Sequence, residues 1–160
     1  MRGVDFSIEI DRPPAAIFRF LADFSNDPRW RANVVEMLPL GRPTDALGGI
    51  WSRQVEVRKV PGRRLRTEAV ITAFEPPRRI AFRRADGPIR PEGVYALSDL
   101  GGRTRLDFSI AVDLEGAARL LAPLVALLLA AVVRPALEGD FTRLKALLEQ
   151  SRTGPQGPRS

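Results

Sequence analysis

Glu9, Glu68, Glu92 and Asp107 are the carboxylates that fall within apolar, strand-like stretches of this 160-residue chain, and acid–base chemistry would have to use them. A carboxyl turned toward an apolar interior has its pKa raised and can then donate or take a proton near neutrality. Arg53, Arg66 and Arg84 could neutralise an acidic headgroup, and an arginine or tyrosine can stabilise an enolate. Tyr95, the only tyrosine, could give one hydrogen bond to a ligand carbonyl. Alternation along the strands places most of these groups on the outer side, Tyr95 included if Val94 and Ala96 point inward; a one-residue slip or a bulge would reverse that assignment. Other chemistries are closed to the chain. It has no histidine and no cysteine, which removes the commonest general base and transition-metal ligand, thiolate metal sites, disulfides and cysteine nucleophiles. No Asp/Glu run has the spacing of a calcium loop, so no metal and no cofactor is expected and no catalytic set can be named.

The elements that would position such groups follow from periodicity. Val4, Phe6, Ile8 and Ile10 alternate with Asp5, Ser7 and Glu9 as in a half-buried strand, and Asp11-Arg12-Pro13-Pro14 stops it. Ile17, Phe18, Leu21 and Ala22 then recur at helical spacing, and Asn26-Asp27-Pro28 can open a second short helix carrying Trp30. Six further strands are expected at about 34–39, 50–59, 65–74, 78–85, 92–98 and 103–112, separated by turns such as Pro61-Gly62, Pro76-Pro77 and Gly101-Gly102. Connections this short predict an antiparallel meander. A long helix is expected over 116–149, amphipathic after Pro135, with Leu137, Phe141, Leu144, Leu147 and Leu148 on one stripe. Its earlier part, Leu120 to Val133, is apolar on all sides, yet shorter than the roughly 20 residues that cross a bilayer. Three readings of that run stand open: a helix buried over the sheet, a helix whose outer face docks on a partner, and an interfacial membrane contact. The chain therefore reads as one α+β domain over 1–150 with a disordered tail over 151–160.

Charge is unevenly spread. Residues 51–90 hold eleven Arg/Lys against four Asp/Glu, while the whole chain carries a net +6. Nucleic acid is not expected, because no recognition motif accompanies the basic residues. Peripheral contact with a membrane or with another protein is left open, as is the oligomeric state. Met1 to Ile10 alternates and does not form the apolar core of a secretory signal, so a cytoplasmic location is expected.

Three stretches carry a family likeness: Phe6-Ser7-Ile8-Glu9-Ile10 with Asp11-Arg12-Pro13-Pro14-Ala15-Ala16-Ile17-Phe18 behind it, Asp23-Phe24-Ser25-Asn26-Asp27-Pro28-Arg29-Trp30, and Thr72-Ala73-Phe74-Glu75-Pro76-Pro77-Arg78-Arg79-Ile80. Across residues 4–149 the chain resembles the START/Bet v 1-like superfamily, and within it the bacterial polyketide cyclase/dehydrase and lipid-transport group. The resemblance implies a helix-grip fold, a curved seven-stranded antiparallel sheet wrapped around the long C-terminal helix, with two short helices after the first strand. It also implies a cavity for a hydrophobic small molecule such as a lipid, quinone or polyketide. Fold alone does not separate carriers from cyclases in such a group.

Alternation makes Phe6, Ile8 and Ile10 of the first strand, Val55 and Val57, Leu65, Thr67, Ala69 and Ile71, Ile80 and Phe82, Val94 and Ala96, and Leu106, Phe108 and Ile110 the inward residues, whether they enclose a cavity or fill a closed core. The candidate ligand contacts are Phe6, Ile8, Val55, Thr67, Ala69, Phe82 and Phe108, with Leu124 and Leu128 from the helix. Trp30 and Trp51 join them as gate residues or as plain packing, and Tyr95 as a hydrogen-bond donor. Three functions compete: carriage of a hydrophobic small molecule, a polyketide cyclase or dehydrase step, and a non-enzymatic interaction module using the basic strands or the leucine-rich helix.

Overall fold

The computed structural model describes residues 2–40, 53–86, 89–114 and 116–151. Seven strands form one antiparallel sheet: β1 Arg2–Ile10, β2 Val34–Leu40, β3 Arg53–Val60, β4 Arg63–Glu75, β5 Arg79–Arg84, β6 Arg90–Asp99 and β7 Thr104–Asp113. Their order across the sheet is β1-β7-β6-β5-β4-β3-β2, so every neighbour after β1 is also a neighbour in sequence. Tight turns allow this. Gly62, Gly101 and Gly102 adopt positive φ at two of the hairpins, where L side chains are strained. Between β1 and β2 run α1 Pro14–Ala22, a short 3-10 turn at Phe24–Asn26, and α2 Asp27–Trp30. A 3-10 segment, Gly116–Leu121, leads into α3 Ala122–Leu128, a π-helical turn Leu129–Val133, and α4 Arg134–Gln150.

The helix-grip expectation holds. α4 turns Phe141, Leu144 and Leu148 into the concave face of the sheet, where they meet Ile17, Phe18 and Leu21 of α1 and the inward residues of β1, β6 and β7. Phe141 is 1% exposed and gathers the rings of Phe6, Trp30, Tyr95 and Phe108 at centroid distances of 5.1, 5.4, 6.3 and 5.3 Å. Polar clamps fix the helix along its length. The backbone N–H of Asp11 donates to Glu149, that of Ala32 to Asp140, and Arg143 Nε to the carbonyl of Trp30. A bulge in β4 between Ile71 and Ala73 keeps Phe74 on the inner side opposite Ile80 and bends the strand, as bulges do.

Two strands present the opposite face from the one alternation suggests. In β6 the inward residues are Gly93, Tyr95 and Leu97, whereas Val94 and Ala96 border a shallow groove on the outer face with Asp5, Ser7 and Asp107. In β3 the inward residues are Gln54, Glu56 and Arg58, paired across to Ala69, Thr67 and Leu65, so Val55 and Val57 lie on the other side of the strand, where Val57 is nevertheless buried at 4% exposure. Pairing decides this. The inner face of β4 carries Leu65, Thr67 and Ala69, and the antiparallel register places the polar set of β3 beside them.

The apolar run also departs from its buried reading. Only one side of it packs: Ala118, Ala122, Val125, Leu129 and Val133 lie on Val4, Val112 and Leu114, and Leu129 is the one large side chain of the run that is fully buried. Leu124 and Leu128 point outward, 53% and 49% exposed. Residues 152–160 of the expected tail, the first part of the third expected strand and Trp51 lie outside the described residues.

Candidate ligand-binding site

A cavity of about 400 Å³ lies between the concave face of the sheet and the π-turn and first half of α4. Its apolar wall comes from Leu65 and Ala69 of β4, Phe82 of β5, Phe108 and Ile110 of β7, and Val133, Leu137 and Phe141 of the helix. Gly93 on β6 makes room for it. A Cβ there would run into the ring of Phe82, so the bare backbone leaves that ring its place against β6.

One end of the cavity is polar. Arg31, at the exit of α2, donates through Nη1 to Asp27 Oδ2 at 2.9 Å and to Glu56 Oε2 at 2.6 Å, and Arg58 Nε also donates to Glu56. The side chains of Arg31, Asp27 and Glu56 are 14%, 5% and 13% exposed, so these charges are held nearly dry. Arg31, Glu56 and Arg58 face the cavity, and Asp27 stands behind Arg31. Tyr95 is 3% exposed and stacks with Phe82 and Phe108 at 5.6 and 5.0 Å. Its hydroxyl makes no hydrogen bond to a described residue. Trp30 Nε1 is buried on the same wall without a hydrogen bond of normal geometry among the described residues, although it lies near enough to Asp27 to favour that carboxylate's charged form. An unsatisfied indole N–H in a buried site costs free energy unless something accepts from it.

Electrostatics sort these groups into roles. Burial raises Asp27 to a pKa of about 6, against the pull of Arg31 in the other direction. Burial acts to raise Glu56 too, but the guanidiniums of Arg31 and Arg58 overcome it and hold that carboxyl below its ordinary value. Burial would lower Arg31; the Glu56 and Asp27 carboxylates outweigh it and keep the guanidinium charged. Burial pushes the Tyr95 phenol well above its ordinary value, so it stays a hydrogen-bond donor. The polar end therefore offers donors from Arg31 and Tyr95 and a carboxylate, Glu56, already held by two arginines; Glu68, Arg84 and Asp140 also border the cavity. It suits a ligand with a carbonyl, phenolic or carboxylate oxygen at one end and an apolar body. Glu56 is a weak base in this setting, since its ionised form is the stabilised one. Among the described residues no three acidic side chains gather as a metal site would need.

The cavity brings together Trp30, Thr67, Ala69, Phe82, Tyr95 and Phe108 of the expected contacts. Phe6 and Ile8 pack behind this wall against the core around Phe141 and do not line it. Val55 lies on the far face of its strand, and Leu124 and Leu128 face out from a helix whose inward stripe runs through Val125 and Leu129. Tyr95 points inward, opposite to the facing that alternation around Val94 and Ala96 suggests. Arg31, Glu56 and Arg58 were not among the expected contacts. The four-residue spacing of Asp27 and Arg31 was visible in the sequence; the arrival of Glu56, 25 residues further on, depends on strand pairing.

A second groove of about 590 Å³ lies between α1 and strands β2 to β4, lined by Phe18, Met37, Gln54, Phe74 and Pro77 among others. It is larger but more open. Among the described residues only Arg19 and Asp23 bring charge to it, with no arginine–carboxylate cluster, so the less open cavity is the better candidate.

Residues 1–149 match the family described as polyketide cyclase / dehydrase and lipid transport. Among solved structures, a START superfamily protein from Mycobacterium smegmatis superposes with a TM-score of 0.75 at 19% identity, over 94% of this chain and 99% of the other. The Zhui aromatase/cyclase from Streptomyces sp. R1128 gives 0.71 at 18%, over 98% and 99%. The di-domain ARO/CYC BexL from the BE-7585A biosynthetic pathway gives 0.75 at 17%, over 96% of this chain and 48% of that one. No curated protein matches. At these identities the superpositions establish the helix-grip fold, and the match across nearly the whole domain establishes kinship: the chain belongs to the polyketide cyclase/dehydrase and lipid transport family of the START-like superfamily.

Proposed function

We propose that this protein binds and carries an apolar small molecule that bears a hydrogen-bond-accepting oxygen at one end, such as a quinone, a polyketide or a lipid with a carbonyl or carboxylate head. The observation that carries this reading is the composition of the cavity between the sheet and α4. Its walls are largely apolar, and its polar end presents a free phenol and a buried cation. A packed core would leave neither the space nor the spare donor. A cyclase or dehydrase step has less support, because each carboxylate bordering the cavity is paired with arginine, Glu56 with Arg31 and Arg58, Glu68 with Arg53 and Asp140 with Arg143, and Glu56 is held in its ionised form.

Native mass spectrometry of the purified protein, followed by solvent extraction, is expected to release a discrete apolar molecule with an oxygen head. Delipidated protein is expected to take up anilinonaphthalene sulfonate saturably, one molecule per chain. Ala69→Phe fills the cavity from β4 and should weaken that uptake by at least about tenfold while leaving secondary structure intact. Uptake that is absent from the wild type, or unchanged in Ala69→Phe, would overturn the reading.

A further inference from the structure

The helical run Gly116–Gln150 is 35 residues long, and its first half breaks the rule that a surface helix turns polar side chains to water. One side packs on β1 and β7 through Val125, Leu129 and Val133. The other side carries Leu120, Leu121, Leu124, Leu127, Leu128 and Val132, from 49% to 84% exposed. A contiguous apolar face of this kind marks an interaction site. No Asp or Glu occurs from Gly116 to Leu137, and the charges there are Arg119 and Arg134, one near each end of the patch.

We propose that this face docks on the surface of an anionic lipid bilayer, with the helix lying in the plane of the interface and its leucines in the acyl boundary. Three observations select that occupant. The charge pattern suits lipid: no acidic residue lies between Arg119 and Arg134 to repel anionic headgroups, and Glu138, which pairs with Arg134, stands beyond the end of the patch. The one-sided packing suits an interfacial helix better than a spanning one, because Leu129 and its neighbours are held against the sheet. The third is a basic flank. Val132 and Ala136 lie on one bank of the cavity mouth, and Arg58 and Leu65 on the other. The β3–β4 hairpin beyond them carries Lys59, Arg63, Arg64 and Arg66, all exposed and with no carboxylate partner among the described residues; the register puts Arg63 on the inner side and Lys59, Arg64 and Arg66 on the outer side of this exposed corner. Cations beside inserted leucines are what attraction to anionic headgroups requires. Docking does not depend on the cavity being occupied.

Vesicle sedimentation tests it. The full chain is expected to partition onto phosphatidylcholine vesicles containing phosphatidylglycerol, less onto phosphatidylcholine alone, and less again as salt rises. The double variant Leu124→Glu/Leu127→Glu should fold normally by circular dichroism, since both side chains already face water, and should lose at least about tenfold in partition coefficient. Arg63→Glu/Arg64→Glu should remove the preference for phosphatidylglycerol. Failure of the wild type to bind either vesicle, or wild-type binding by the leucine variant, overturns the proposal. So does a concentration-dependent dimer in sedimentation equilibrium that the leucine variant abolishes, since a second copy would then be the occupant.

Discussion

Asp27, Arg31 and Glu56 show how two carboxylates sharing one arginine take on different characters. Glu56 has a second guanidinium, Arg58, and is stabilised as an anion; Asp27 has Arg31 alone and is nearly dry, so burial wins. The pH dependences consequently oppose each other. Glu56 contributes stability that is lost as pH falls through its lowered pKa. Asp27 moves from an ordinary 3.8 to about 6, so the folded state holds its proton more tightly; its contribution is full below about pH 4 and is lost as pH rises through 6. The size is roughly 3 kcal/mol. Asp27→Asn removes this titration, so urea melts of wild type and variant should diverge by about 2–3 kcal/mol between about pH 4 and 7, the variant gaining as pH rises. Parallel stability curves would show that Asp27 ionises freely in the fold.

At the level of elements, β3 and β6 carry the cavity, and both are read wrongly by assuming that apolar parity faces in. In Arg53-Gln54-Val55-Glu56-Val57-Arg58 the alternation is regular, yet the polar members line the interior. A cavity with charged partners can accept them, and a closed core could not. In β6, Gly93 is the residue that makes the inward face workable, because it leaves the Phe82 ring its place over the backbone. Gly93→Ala should force that ring into the cavity, costing about 1–3 kcal/mol and weakening probe uptake in the same variant. Unchanged uptake with full stability would mean that Phe82 can swing elsewhere. The C-terminal helix divides at the π-turn before Pro135: α4 is a core element around Phe141, whereas α3 is pressed to the sheet along a single stripe.

Across the whole molecule, packing is concentrated on one side of the sheet and at one end of the helix. β6, β7 and β1 form long unbroken ladders, and α1 and α4 close over them around Ile10, Leu106 and Leu144, each fully buried. Amide exchange should reflect this gradient. Protection in β6, β7 and Phe141–Leu148 should approach the global unfolding limit, while Gly116–Leu128, whose helical turns carry no fully buried side chain, should exchange orders of magnitude faster. Equal protection in both halves of the helix would imply that the apolar face is covered in solution.

The elements and their order were written in local periodicity. Alternation in β1 and β7, the Gly and Pro turns, the short helices opened by Pro14 and Asp27-Pro28 and the amphipathic stripe of α4 depend on neighbours a few residues apart, and the structure reproduces them. Which face of β3 and β6 looks inward, whether Leu124 and Leu128 are covered, and that Glu56 meets Arg31 were decided only in three dimensions. Strand facing is inherited from the register with the next strand, exposure of a helix depends on how much sheet lies beneath it, and a buried ion pair exists only once both partners have been brought to the same place.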